Sequence, residues 1–146
     1  MTVKPIPEGY HTVTPYLVVE DADKLIAFLK AAFDAKLKFS NQDEEGKTSH
    51  AELEIGDSKL MLGLNRCGET TKAMLYLYVE DTDKYYEKAL AAGATSIVKP
   101  TNQFYGDRNA GVKDCFDNQW WIGTRVEELS PEEIRQRAQA NKKACA

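Results

Sequence analysis

The chain has 146 residues, 42% of them hydrophobic and 29% charged, with a formal net charge of -4 and a pI near 5.3. That length and balance suit one globular domain rather than a disordered chain, and the acidity argues against a nucleic-acid or anionic-membrane surface. There is no apolar run of about 18 residues to cross a membrane, the opening MTVKPIPEGY lacks the apolar stretch of a secretory signal, and three scattered cysteines without CxxC spacing (Cys67, Cys115, Cys145) fit reduced thiols in a cytoplasm.

In chain order, HTVTPYLVV (His11–Val19) is rich in β-branched and aromatic residues and predicts a strand. VEDADK (Val19–Lys24) follows, and the period then turns helical: Leu25, Phe28, Leu29, Ala32 and Phe33 recur at three and four residues. Asp21 is a natural N-cap, and Asp23 sits in the first turn, where the helix dipole favours negative charge. Lys36–Ser40 predicts a short strand, NQDEEGK (41–47) a linker, His50–Ile55 a third strand, Gly56-Asp57-Ser58 a turn, and Lys59–Gly63 a fourth strand.

After a linker over Asn65–Lys72 the same order returns. AMLYLYV (Ala73–Val79) predicts a strand, VEDTDK (Val79–Lys84) repeats the acidic hexapeptide sixty residues on, and Tyr85, Tyr86, Ala89 and Leu90 carry a helix that stops at Gly93. Thr95–Lys99, a long loop over Pro100–Ala110, Gly111–Phe116, a turn at Asp117-Asn118 and Gln119–Gly123 complete the second unit. Each half is therefore β-α-β-β-β, the first over residues 11–64 and the second over 73–127. A surface helix over 130–143 opens with a capping box, Ser130 to Glu133, and Pro131 at its first position.

A doubled unit of this kind, carrying TVTPYLVVEDAD, HAELEIGDSKLML, LYVEDTD, AAGAT, QFYGDR and the DxFxxxW stretch Asp114–Trp120, resembles the vicinal oxygen chelate superfamily of glyoxalases, bleomycin-resistance proteins and extradiol dioxygenases. Within it the sequence is similar to the PhnB-like branch. The resemblance implies an α+β fold: two modules forming a pseudo-twofold, curved, mixed sheet structure, helices on the convex side and a pocket between the modules. It also implies a homodimer with pockets near the interface. Metal-dependent members hold a cation with four residues, from the first and last strands of each half. Carried onto this sequence, those positions are Thr14, Met61, Met74 and Trp121; 74 minus 14 and 121 minus 61 are both sixty. None is His, Glu, Asp or Cys, and an indole is no ligand for a hard divalent cation. The expectation is that the standard metal is missing and that no cofactor is held.

Tyr16 and Tyr76 share faces with Thr14 and Met74, and Met61 is expected to face Trp121. Together they predict an adaptable, largely apolar cavity for a small aromatic or amphipathic molecule. QFYGDR adds Tyr105 and Arg108 as loop contacts to that ligand, the alternative being that Asp107 and Arg108 pair with each other or with the dimer partner. His50, Glu52 and Glu54 share one strand face, expected on the outer or rim side of a half-wet sheet. His50 is the candidate base if the chain is a lyase, isomerase or dioxygenase using it or a displaced metal. Cys67 beside Arg66 reads as an ordinary loop thiol, and the acidic hexapeptides as helix starts rather than calcium ligands.

Overall fold

The computed structural model describes residues 3–65, 70 and 72–141. The first module runs β1 (Tyr16–Val19), α1 (Ala22–Phe33), β2 (Lys36–Gln42), β3 (Thr48–Ile55) and β4 (Ser58–Leu64). The second runs β5 (Met74–Tyr78), α2 (Thr82–Ala91), β6 (Thr95–Asn102), β7 (Asp107–Lys113) and β8 (Gln119–Arg125), followed by α3 (Pro131–Asn141). The sheets have matching orders, β1-β4-β3-β2 and β5-β8-β7-β6, so β1 and β5 are edge strands. β1 and β5 run parallel to their neighbours and the other pairs are antiparallel, which makes both sheets mixed. The expected fold class is the observed one.

The acidic hexapeptides start helices as their spacing predicts. Asp21 Oδ1 accepts from Lys24 N and Asp81 Oδ1 from Lys84 N, both at 3.1 Å, with extended backbone at each cap. Their second aspartates tie each helix start to the third strand of its own sheet. Asp23 accepts from Thr48 N at 3.2 Å and Thr48 Oγ1 at 2.5 Å; Asp83 accepts from Arg108 Nε at 2.7 Å and Nη2 at 2.9 Å. The α2 chain turns out through Gly93, at φ 106, a conformation that a side chain would strain.

Alternation along the strands divides each sheet into a helix-side face and an open face. In the first module Leu17, Val19, Ala51, Leu53, Leu60 and Leu62 are buried in one core with Leu25, Leu29, Ala32 and Phe33 of α1. In the second, Ala110, Val112, Trp120 and Ile122 join Tyr86 and Ala89 of α2. The modules meet through their helices: Phe33 lies 5.4 Å from Trp120 between ring centroids, and Asp34 accepts from Tyr85 Oη at 2.9 Å and Lys88 Nζ at 2.5 Å.

Three boundaries differ from expectation. The strand read over His11–Val19 begins only at Tyr16. The long loop over Pro100–Ala110 is instead the end of β6, a tight turn closed by Gln103 N to Asp107 O at 2.7 Å, and the start of β7. The third strand read over Gly111–Phe116 accordingly occupies Asp107–Lys113, because Asp107 and Asn109 are buried by side-chain hydrogen bonds that no hydrophobic alternation announces. Cys67, Arg66 and the last two residues of the helix read over 130–143 lie outside the described residues.

Candidate functional site

The open face of the second sheet is aromatic. Met74, Tyr76 and Tyr78 project from β5, and Trp121 stands beside Tyr76 in the β5–β8 register. Both rings pack over glycines of the next strand, Tyr76 by its hydroxyl end and Trp121 by its face. A Cβ on Gly123 would meet Cε1 and Cζ of Tyr76 at 2.7 and 2.8 Å. One on Gly111 would meet Cη2, Cζ2 and Cζ3 of Trp121 at 3.0 Å alike. The missing side chains are therefore the space the rings occupy.

Beneath the tyrosines runs a polar network. Asp107, 6% exposed, accepts on Oδ2 from Tyr76 Oη at 2.7 Å and Tyr78 Oη at 3.1 Å. Asn109, 1% exposed, donates from Nδ2 to Tyr105 Oη at 2.6 Å and Tyr76 Oη at 3.2 Å, while its Oδ1 accepts from Gln103 Nε2 at 3.0 Å. Burial, followed by the Asp107 carboxylate, pushes the Tyr78 hydroxyl up from its ordinary value. Burial is also the largest cause of a rise at Tyr76, where the Asn109 hydrogen bond works against it and Asp107 with it. Both phenols stay protonated donors at neutral pH.

The open face of the first sheet is built on the same plan with different chemistry. Tyr16 lies over Gly63 as Tyr76 lies over Gly123, a Cβ there meeting Cε1 of Tyr16 at 2.7 Å. Tyr16 Oη is 3.1 Å from His50 Nδ1, either atom able to donate. Met61 pairs in register with both Tyr16 and Glu52, and His50 with Gly63. His50, Glu52 and Glu54 are on the open face beside Met61, the side of the sheet away from the core, because Ala51 and Leu53 are the buried members of β3. Tyr10 donates to Glu52, and burial with that hydrogen bond raises its hydroxyl to about 12. Lys59 Nζ pairs with Glu54 at 2.7 Å and lies 5.8 Å from the Tyr10 ring centroid. The segment before β1 is thereby laid against this face.

Of the eight residues expected in one cavity, the structure gathers Met74, Tyr76, Tyr105 and Trp121 on the second open face and Tyr16 and Met61 on the first. Thr14 stands half-buried two residues before β1. Arg108 belongs to neither face. It shares the helix side of β7 with Ala110 and Val112 and spends its guanidinium on Asp83 and Asn102, holding the Asp83 carboxyl below its usual value. Met61 and Trp121 have their register partners in different sheets. A cleft of about 850 Å³ opens between the modules along β5, but among the eight only Tyr76 lines it; its far wall is Phe33, Ile55, Lys59 and Leu60. Sequence reasoning missed Tyr78, Asp107 and Asn109. Period-two alternation from Tyr76 was a signal for Tyr78.

The family described as the glyoxalase/bleomycin resistance protein/dioxygenase superfamily matches residues 10–122. The chain belongs to that superfamily. It is 34% identical over 135 residues to a Mycobacterium bovis protein described as uncharacterized protein Mb0911c, covering 84% of this chain and 89% of that one. Among solved structures it is similar to TioX from Micromonospora sp. ML1, with 22% identity, TM-score 0.69 and coverage of 80% of this chain and 99% of the other. It is also similar to the fosfomycin resistance protein FosX from Listeria monocytogenes in complex with Mn(II) and sulfate, with 19% identity, TM-score 0.63 and coverage of 87% and 96%. At these identities the two structures speak for the fold alone.

The superfamily's metal can be tested against the residues present. Met61 sits between Tyr16 and Glu52 in register, and Trp121 lies flat on Gly111 between Tyr76 and β7. A hydroxyl, two thioethers and an indole do not make a donor set for a hard divalent cation. Among the described residues no group of three or more His, Cys, Asp or Glu is placed to hold one. The standard site does not fit the metal. No helix among the described residues is long and apolar enough to cross a membrane.

Proposed function

We propose that the chain is a small-molecule binding member of the superfamily that works without a metal at the usual place. It takes an aromatic or amphipathic molecule against the open face of its second sheet, on Met74, Tyr76, Tyr105 and Trp121. The observation that carries this is the pair of rings packed over glycines, the hydroxyl end of Tyr76 against Gly123 and the face of Trp121 on Gly111, which gives a planar ligand a preformed aromatic floor beside polar groups. Met74 is 68% and Tyr78 69% exposed, a large apolar and aromatic area for one chain to leave in water.

A second copy of the chain completes the pocket in this reading. The unpaired edges of β1 and β5 support a homodimer in which Thr14, Tyr16 and Met61 of one copy close over the aromatic face of the other. The PhnB-like branch and a cytoplasmic setting complete the assignment, on the sequence features already given. Trp121→Ala should abolish ligand binding while circular dichroism and melting stay those of a folded domain. An unaltered affinity would rule this face out.

One observation favours a second reading. Tyr16 and His50 form a hydrogen-bonded pair on the first open face, the arrangement a general acid or base needs, with or without a displaced metal near His50. Elemental analysis of protein purified without chelator separates the two. Stoichiometric metal retained by wild type and lost in His50→Ala would replace the binding reading with the enzymatic one.

A further inference from the structure

We propose that the molecule taken by the second open face is an organic cation, a protonated amine or quaternary ammonium carried on an apolar or aromatic body; this rests on the binding reading above and names its ligand class. The anchor is Asp107. Its side chain is nine-tenths buried, and both tyrosine hydroxyls converge on one oxygen, Oδ2. Oδ1 receives no hydrogen bond from any described residue, and among the described residues no fully buried side-chain oxygen or nitrogen lacks a partner, so Oδ1 keeps some access to solvent. A carboxylate held by two donors on one oxygen and left free on the other is a fixed acceptor for one charged hydrogen bond or one ammonium contact.

The surroundings suit a cation more than any other group. Tyr76 and Tyr78 stand 5.1 Å apart between centroids at 53°, two walls of an aromatic corner directly above Asp107. Trp121 adds a third ring in register with Tyr76. Ring faces carry the negative lobe of the quadrupole, so rings grouped around a carboxylate add to its attraction for a positive charge that meets one of their faces. Arg125 lies opposite Asp107 in the β7–β8 register. Among the described residues it closes no ion pair, and its charge reaches the corner only at a distance, easing the rise at Tyr78. Asp107 is therefore left for a ligand.

The test uses three probes that share a benzyl body: benzyltrimethylammonium, benzyl alcohol and phenylmethanesulfonate. Binding to the full chain is followed by the indole N–H resonances in two-dimensional NMR and by calorimetry. The ammonium should bind about tenfold more tightly than the alcohol, the sulfonate more weakly still. Asp107→Asn should remove most of that preference. Because Asp107 is buried, Arg125→Gln on the exposed neighbour is the second arm; it should tighten the ammonium severalfold with the fold untouched. Tyr78→Leu should weaken the ammonium and leave the alcohol unchanged. If the sulfonate binds best, or Arg125→Gln weakens binding of the ammonium, the charge assignment is overturned while the binding face stands. If no probe moves Trp121, both fall together.

Discussion

The two modules share a plan and differ in what they finish. Each has an aspartate cap, a second aspartate tied to the third strand, and a tyrosine of the edge strand lying over a glycine of its neighbour. Yet α1 buries Leu25, Ile26, Phe28, Leu29, Ala32 and Phe33, whereas α2 buries only Thr82, Tyr86 and Ala89. The first open face is ionisable and carries Tyr10 over Glu52; the second is aromatic, with an acid and an amide sunk into it. The comparison teaches that the duplicated backbone devices persist while cohesion concentrates in one half and an uncovered face in the other.

The sharpest way to break this contrast is through the cores. Leu29→Ala, at a fully buried position, should lower stability by about 3 kcal/mol. Leu75→Ala, half-buried on β5 beside the cleft, should cost only about 1 kcal/mol. Denaturant unfolding of the two variants would measure the asymmetry, and equal losses would mean that the second module is as tightly built as the first.

Next come the paired glycines. Alanine at 63 or 123 suits the backbone but occupies the place of a tyrosine ring, and each should cost about 1–2 kcal/mol as the ring is lifted. The outcomes should then part. Gly123→Ala frees Tyr76 from Asp107 and Asn109, so its phenol should titrate closer to 10.0 in an ultraviolet titration. Gly63→Ala should leave that titration alone and instead shift the His50 ring resonances, because Tyr16 is the partner that moves.

The caps sharpen the shared half of the comparison. Asp21→Ala and Asp81→Ala should each destabilise by about 1 kcal/mol, and by similar amounts, since their geometries coincide. The smallest effect is alkaline. Tyr10 titrates near 12 in the folded chain against 10.0 for the free group, so the unfolded chain loses this proton first. The contribution is complete below pH 10 and is lost as pH rises toward 12. Tyr10→Phe should flatten that part of a melting-temperature profile, and an unchanged slope would show that Tyr10 does not hold the leading segment to Glu52.

Much of the fold was legible because its punctuation is local. A cap needs only the few residues around it, so the sixty-residue spacing of the hexapeptides marked both helices and both sheets before any packing was known. The candidate site was less legible because it depends on side-chain direction. Arg108 reads as a loop contact only while residues 100–110 are taken for a loop; once β7 starts at Asp107, parity with Ala110 and Val112 sends it to the helix side. Asp107 and Asn109 look like turn residues in sequence, and only the hydroxyls of Tyr76, Tyr78 and Tyr105 make them tenable inside a sheet. His50 and Glu52 fall on the strand and off the core side as their alternation implies, but alternation alone does not say that Tyr16 and Met61 share that face with them.

The tyrosine-over-glycine arrangement also bears on how such a protein can evolve. Every codon change that replaces Gly63 or Gly123 introduces a Cβ into space a ring already fills. Each such change therefore lifts a ring and lowers stability, by about 1–2 kcal/mol for alanine. New ligand preferences are more cheaply written at the rim of the face, at a position such as Arg125, whose side chain is exposed.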